Sequence, residues 1–202
     1  MMPSKKKKIV FFGDSITQMG VDPGGYISLL RKDNEAKNNL ELIGAGIGGN
    51  KVYDLYLRMD QDVLSHKPHT VVIYVGINDV WHKKMMGTGT DKDKFEKFYI
   101  AIIKKLQSKK INVAVCTPTV IGEKKNSANP EDKELDAYSD VIRKLAREHN
   151  CTLIDLRAAF AKYETENNTE DKDSGILTTD RVHLNDKGNR LVADEMSKGL
   201  GL

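Results

Sequence analysis

Ile9-Val10-Phe11-Phe12-Gly13-Asp14-Ser15-Ile16-Thr17 is the stretch that decides the fold. Four apolar residues run without alternation and stop at Gly-Asp-Ser, as a parallel strand buried on both faces does. With the strand at residues 9–12, Ser15 lies just past its carboxyl end. Open α/β sheets bind ligands and carry out chemistry at that edge. A serine there can act as a nucleophile if a base and an oxyanion site converge on it.

Outward from this strand, apolar runs alternate with segments of helical spacing. Further strands are expected at 40–43, 70–75, 111–116 and 152–156. Helices are expected at 26–37, at 52–64, around Phe95, Phe98, Ile102 and Leu106, at 131–148, at 157–166 and at 186–200. Gly76-Ile77-Asn78-Asp79 reads as a turn, followed by a polar loop through Gly87 and Gly89. Residues 117–130 read as a second long loop. Five strand–helix alternations without repeat or linker imply right-handed crossovers and helices on both faces. The expectation is a three-layer α/β/α sandwich on a flavodoxin-like five-stranded parallel sheet. One domain over 1–202 is expected, with 1–7 as a flexible basic tail.

Composition narrows the function classes. The chain has 202 residues, 30% charged and 39% hydrophobic, with a formal net charge of +3. The basic residues are scattered among acids, with no stripe carrying interleaved aromatics, so no nucleic-acid partner is expected. No apolar run approaches the roughly 20 residues of a membrane span. The basic start is followed by only four apolar residues, too few for a signal peptide, so a cytoplasmic location is expected unless a signal was removed, with a secreted or periplasmic one as the alternative. Cys116 closes one strand and Cys151 opens another, so two free thiols are expected at opposite sheet ends. Neither has the histidine spacing of a zinc site.

Three turns share the carboxyl edge of the sheet: Gly13-Asp14-Ser15, Gly46 to Asn50, and Gly76 to Asp79. A fourth segment, Asp180-Arg181-Val182-His183, separates an acid from a histidine by three residues. On a turn, that spacing lets the carboxylate hold Nδ1–H and leaves Nε2 free as a base. His66, His69 and His149 fall at the amino ends of strands, and His82 lacks a carboxylate at this spacing. Gly44-Ala45-Gly46-Ile47-Gly48-Gly49 matches the dinucleotide fingerprint, but after the second strand and without the ribose-binding acid at the end of the next.

These blocks, in this order and spacing, resemble the SGNH (GDSL) hydrolases over nearly the whole chain, with Ile16 where the family often has leucine. The resemblance implies Ser15 as nucleophile, His183 as general base and Asp180 as its orienting partner. It implies an oxyanion hole of the Ser15 and Gly49 backbone N–H groups and the Asn78 side-chain amide. There is no G-x-S-x-G elbow, so the α/β-hydrolase arrangement is absent.

The expected activity is a serine esterase that cleaves small acetyl or short-acyl esters, of carbohydrates above all, through an acyl-enzyme. The partner is a small-molecule ester, with no metal or organic cofactor. Asp14, Trp81, His82 and Val120 are the expected substrate contacts. The alternatives are a lipolytic lysophospholipase or thioesterase, or a non-catalytic carbohydrate- or nucleotide-binding module on the same scaffold.

Overall fold

The computed structural model describes residues 6–37 and 39–202. Most of the expected basic tail lies outside them, and its boundary needs correcting. Strand β1 is Lys7–Gly13, and Lys7 already pairs with Leu40. The strand extends into the lysines because its partner offers hydrogen bonds there, whatever the side chains.

Four more strands follow: β2 (Leu40–Gly46), β3 (Thr70–Tyr74), β4 (Asn112–Cys116) and β5 (Thr152–Ile154). All pair in parallel, in the order β2-β1-β3-β4-β5. Val10, Phe11 and Phe12 have no solvent exposure, and neither do Val71, Val72 and Ile73 of β3. Burying each such side chain contributes about 1.5–3 kcal/mol, so these two central strands anchor the sheet. The strand order reverses between β1 and β3. A crevice opens at such a switch point, at the carboxyl ends of the strands.

The helices are α1 (Ser15–Met19), α2 (Tyr26–Asp33), α3 (Val52–Asp62), α4 (Ile77–Met86), α5 (Lys92–Ser108), α6 (Asp132–Glu148), α7 (Leu156–Asn167) and α8 (Asp186–Leu200). On one side α2 and α7 pack against α8, and on the other α3, α5 and α6 lie side by side. The three-layer sandwich is therefore as expected. On α5 the core face is Phe95, Tyr99, Ile102, Ile103 and Leu106, with Phe98 only half-buried. Both cysteines are free thiols.

Two of the differences from the expectation lie at the crevice. Residues 77–86 form a helix instead of a turn and loop. Gly76, at φ +139°, turns the chain straight from β3 into α4, and Gly87, in the left-handed region, ends it. Asn78 and Asp79 favour turns in isolation. Here they occupy the first helical turn, where an acid opposes the positive end of the helix dipole. The short helix α1, which begins at Ser15 itself, is the second.

Candidate active site

Ser15 is delivered by a tight junction. A Cβ on Gly13 would come within 2.4 Å of Thr17 Oγ1 and of the Tyr74 carbonyl, so only glycine fits between β1, β3 and α1. Asp14 caps α1, its Oδ1 accepting from the Ile16 N–H at 3.0 Å. That leaves Ser15 half-exposed on the first turn. Asp14 is only 3% exposed, and burial pushes its carboxyl up to about 7. Asp14, expected as a substrate contact, is turned inward by its capping role.

Asp180 and His183 come from the loop before α8. Thr178 and Leu184 form an antiparallel bridge, and the Thr179 N–H donates to the His183 carbonyl at 2.8 Å. Within this closed turn Asp180 Oδ1 accepts from the backbone N–H of His183 (2.7 Å) and of Val182 (3.1 Å). Asp180 Oδ2 lies 2.7 Å from His183 Nδ1, and His183 Nε2 lies 3.0 Å from Ser15 Oγ. Partial burial would raise the Asp180 carboxyl, but hydrogen bonds from the His183 ring and from two backbone N–H groups hold it below its usual range. An ionised Asp180 can only accept, so it selects the tautomer with the proton on Nδ1. Nε2 is then free to accept from Ser15. Asn185 caps α8 through the Gly188 N–H, which leaves Asp180 to the histidine.

The Gly46–Asn50 loop closes the other side. A Cβ on Gly46 would lie 2.1 Å from the Gln18 nitrogen, so the end of β2 rests directly on α1. Gln18 Oε1 accepts from the Gly48 N–H at 2.7 Å. Gly49 sits at φ +76°, a left-handed conformation that glycine adopts without steric cost. Asn78, 3% exposed, donates one amide hydrogen to the Asn50 carbonyl at 3.1 Å. Among the described residues no protein group accepts from the Ser15 or Gly49 backbone N–H. Asp79, fully buried, accepts from the Val52 N–H and so ties α4 to α3. Burial pushes its carboxyl up to about 6.

One residue that organises this edge escaped the sequence reading. Arg58 of α3 donates from Nη2 to the carbonyls of Gly13 (2.8 Å) and Ala45 (3.0 Å), and from Nε to Asn50 Oδ1 (2.7 Å). Its Nη1 pairs with Asp62, and its guanidinium lies 4.6 Å from the Phe12 ring centroid. One side chain thus ties the ends of β1 and β2 to the glycine loop. The only signal was its place beside the apolar stripe of Val52, Leu55 and Met59.

Trp81 is half-buried on α4, its ring 6.5 Å from that of His183 at 67°, an edge-on contact. His82 approaches Gly49, and burial followed by the nearby Lys51 ammonium pushes its imidazole below the usual range. Val120, expected as a substrate contact, is 1% exposed and packs in the hydrophobic core. The 117–130 loop folds over the triad loop instead, with the Gly122 N–H donating to the Arg181 carbonyl at 2.8 Å. A cleft of about 180 Å³ opens between α1, residues 22–25 and the start of α8, and none of Ser15, Gly49, Asn78, Asp180 or His183 lines it. It is lined by Ile16 and Leu184, the neighbours of Ser15 and His183, with Met19, Asp22 and Gly24. Among the described residues no helix is long and apolar enough to cross a membrane.

Comparison with known proteins places this geometry in context. The profile of the GDSL-like Lipase/Acylhydrolase family matches residues 11–191. An acetylxylan esterase of Geobacillus stearothermophilus is 28% identical, over 96% of this chain and 94% of that protein. The crystal structure of an acetyl xylan esterase, AlAXEase, is 60% identical and superposes with a TM-score of 0.94, covering 96% of this chain and 99% of that one. Axe2, an acetylxylan esterase from Geobacillus stearothermophilus, is 26% identical with a TM-score of 0.82, covering 100% and 97%.

Proposed function

We propose, on the premise that this chain belongs to the GDSL-like lipase/acylhydrolase family and is a carboxylic-ester hydrolase, that it removes acetyl groups from carbohydrate hydroxyls through an acyl-enzyme on Ser15. The observation that carries this reading is the unbroken path of two hydrogen bonds, Asp180 Oδ2 to His183 Nδ1 and His183 Nε2 to Ser15 Oγ. The acetylxylan esterases similar to this chain support acetylated sugars as its substrates.

In the first half-reaction His183 Nε2 takes the Ser15 proton as Oγ bonds to the acetyl carbonyl carbon. The carbonyl oxygen takes up the displaced electron pair. The Ser15 and Gly49 N–H groups and the second amide hydrogen of Asn78 stabilise that charge. They are held in place before the reaction and need little reorganisation, which makes such donors effective. On collapse the C–O bond to the sugar breaks, and His183 returns its proton to the leaving alkoxide. Water then attacks the acetyl-serine and gives its proton to His183. Acetate leaves, and the proton returns to Ser15. Asp180 stays ionised and steadies the imidazolium in each half.

A long acyl chain needs an extended apolar groove to gain about 0.8 kcal/mol per methylene, whereas Trp81 beside His183 is followed by exposed Lys83 and Lys84, a setting that suits a small acyl group on a polar alcohol. Trp81 stands where it can wall the acyl pocket or face a sugar ring.

The test is hydrolysis of p-nitrophenyl acetate and of acetylated xylo-oligosaccharides by the wild type and Ser15→Ala. Ser15→Ala should lose the acylation burst and several orders of magnitude in kcat, the oxyanion donors giving only residual catalysis. Mutant activity within about tenfold of wild type would remove Ser15 from the mechanism.

A further inference from the structure

We infer that Glu123 is a positioning residue for hydrolysis, an anion that grips the backbone of residues 176–178 and so sets Asp180 and His183 against Ser15. The inference rests on the reading of Ser15, His183 and Asp180 given above.

Glu123 lies in the loop after β4 and has no solvent exposure. Its Oε2 accepts from the Ile176 N–H at 2.7 Å, and its Oε1 from the N–H groups of Leu177 (2.8 Å) and Thr178. Three successive backbone donors converging on one anion form a concave site of the kind that binds phosphates and other anions. Here the chain supplies its own anion. Hydrogen bonds to a charged acceptor are roughly twice as strong as neutral ones, so the segment is held firmly.

The grip lies next to the chemistry. Thr178, the last of the three donors, is also the residue that bridges Leu184. Asp180 follows two residues later, and the Thr179 N–H closes the turn onto the His183 carbonyl. That turn contains Arg181 at φ +80°, a left-handed conformation disfavoured for a side chain with a Cβ. Such a conformation persists only where its surroundings over-determine it.

The rest of the bracket supplies those surroundings. The Gly122 N–H donates to the Arg181 carbonyl, and the Glu123 N–H to the Asp173 carbonyl at 3.0 Å. Buried Asn168 donates to the carbonyls of Glu123 and Lys172, both at 2.8 Å. Glu164 packs nearby with its carboxyl pushed up to about 8, first by burial and then by the Glu123 charge. Near neutral pH it is mostly protonated and adds little repulsion beside Glu123.

An amide cannot replace this group. Glu123→Gln keeps the shape but presents NH₂ to backbone donors, leaving at least one buried N–H unpaired. The experiment compares wild type, Glu123→Gln and Glu123→Asp in the full chain. It reads kcat and KM on p-nitrophenyl acetate and the low-field proton resonance of His183 Nδ1–H. Glu123→Gln should lower kcat by about 10–100-fold, as an ångström-scale misplacement of a catalytic group does, with KM within about threefold. The low-field resonance should shift or broaden. Glu123→Asp, which keeps the charge and shortens the reach, should fold and lose kcat by about threefold to tenfold.

Unchanged kcat and an unchanged resonance in Glu123→Gln, with only melting temperature lowered, would overturn the inference. If Glu123→Gln does not fold, wild-type kcat in Glu123→Asp would do the same. The resonance reports the loop whether or not Ser15 is the nucleophile, so a failed assignment of Ser15 shows up separately, as activity in Ser15→Ala.

Discussion

His183 Nε2 lies 3.0 Å from Ser15 Oγ although 168 residues separate the two in the chain. Nothing local brings them together. Ser15 is fixed by the end of β1, and His183 by a closed turn that Asp180 ties from three directions. Because the histidine's orientation depends on Asp180, Asp180→Asn should leave the fold intact and lower kcat by up to about 10⁴-fold, the asparagine favouring the wrong tautomer. Steady-state kinetics beside a circular dichroism spectrum checks this. Loss of less than about tenfold would show that Asp180 does not orient the base.

Asn78 has two tasks in this arrangement. One amide hydrogen holds the Asn50 carbonyl, and in the proposed mechanism the other stabilises the developing oxyanion. Asn78→Ala should lower kcat by about 10²–10³-fold. Loss of one hydrogen bond, about 1 kcal/mol, should lower Tm by only about 2–4 °C. A large fall in Tm with nearly unchanged kcat would reduce Asn78 to a structural link between loops.

Arg58 reaches three acceptors on the crevice-lining segments and a carboxylate on its own helix. A lysine cannot reproduce that planar fork. Arg58→Lys should therefore lower Tm by several degrees and kcat by about tenfold or more, since the Gly46–Asn50 loop loses its tie. Wild-type kcat in Arg58→Lys would show that the loop holds its shape without the guanidinium.

Asp14 and Asp79 give stability a definite pH dependence. Burial pushes their carboxyls up to about 7 and about 6 in the folded protein. In the unfolded chain aspartate titrates near 3.9. Between about pH 4 and 7 the folded state binds more protons, so these two groups make stability fall as pH rises, until both are ionised. Asp180, held below its usual range, acts the other way: its contribution is present above about pH 3.9 and lost on further acidification. Asp14→Asn keeps an oxygen for the Ile16 cap and has no proton to lose. Its Tm should vary less than that of the wild type between about pH 4 and 7 in thermal melts. Parallel curves would show that Asp14 does not carry the dependence.

Acyl length should separate an acetyl esterase from a lipolytic enzyme. With only a small apolar element, Trp81, beside His183 and charged residues following it, kcat/KM should fall steeply from acetyl to octanoyl p-nitrophenyl esters. Acetylated xylo-oligosaccharides should outperform lysophospholipids. Octanoyl esters matching or exceeding acetate would sink the carbohydrate reading.

Much of this was legible in the chain alone, for a physical reason. A strand buried on both faces needs an unbroken apolar run, and a helix on a sheet needs apolar residues at its own period. The five alternations and the sandwich therefore followed from residues 9–12 and their counterparts. The four blocks were legible because each sits at a strand end or before a cap, where backbone geometry restricts residue choice. Periodicity reports that a segment is buried, however, and not against what. The strand order, with its switch point between β1 and β3, is a matter of pairing. So is the turning of Asp14 and Val120 into the interior. Residues 77–86 became helix because Gly76 could turn the chain at φ +139° and because Asp79 found a partner in the Val52 N–H. Arg58 and Glu123 were invisible for a related reason. Each is a single polar side chain bonded to the backbone of distant segments, and such bonds leave no period in the sequence. Only the folded chain determines which carbonyls and N–H groups come within their reach.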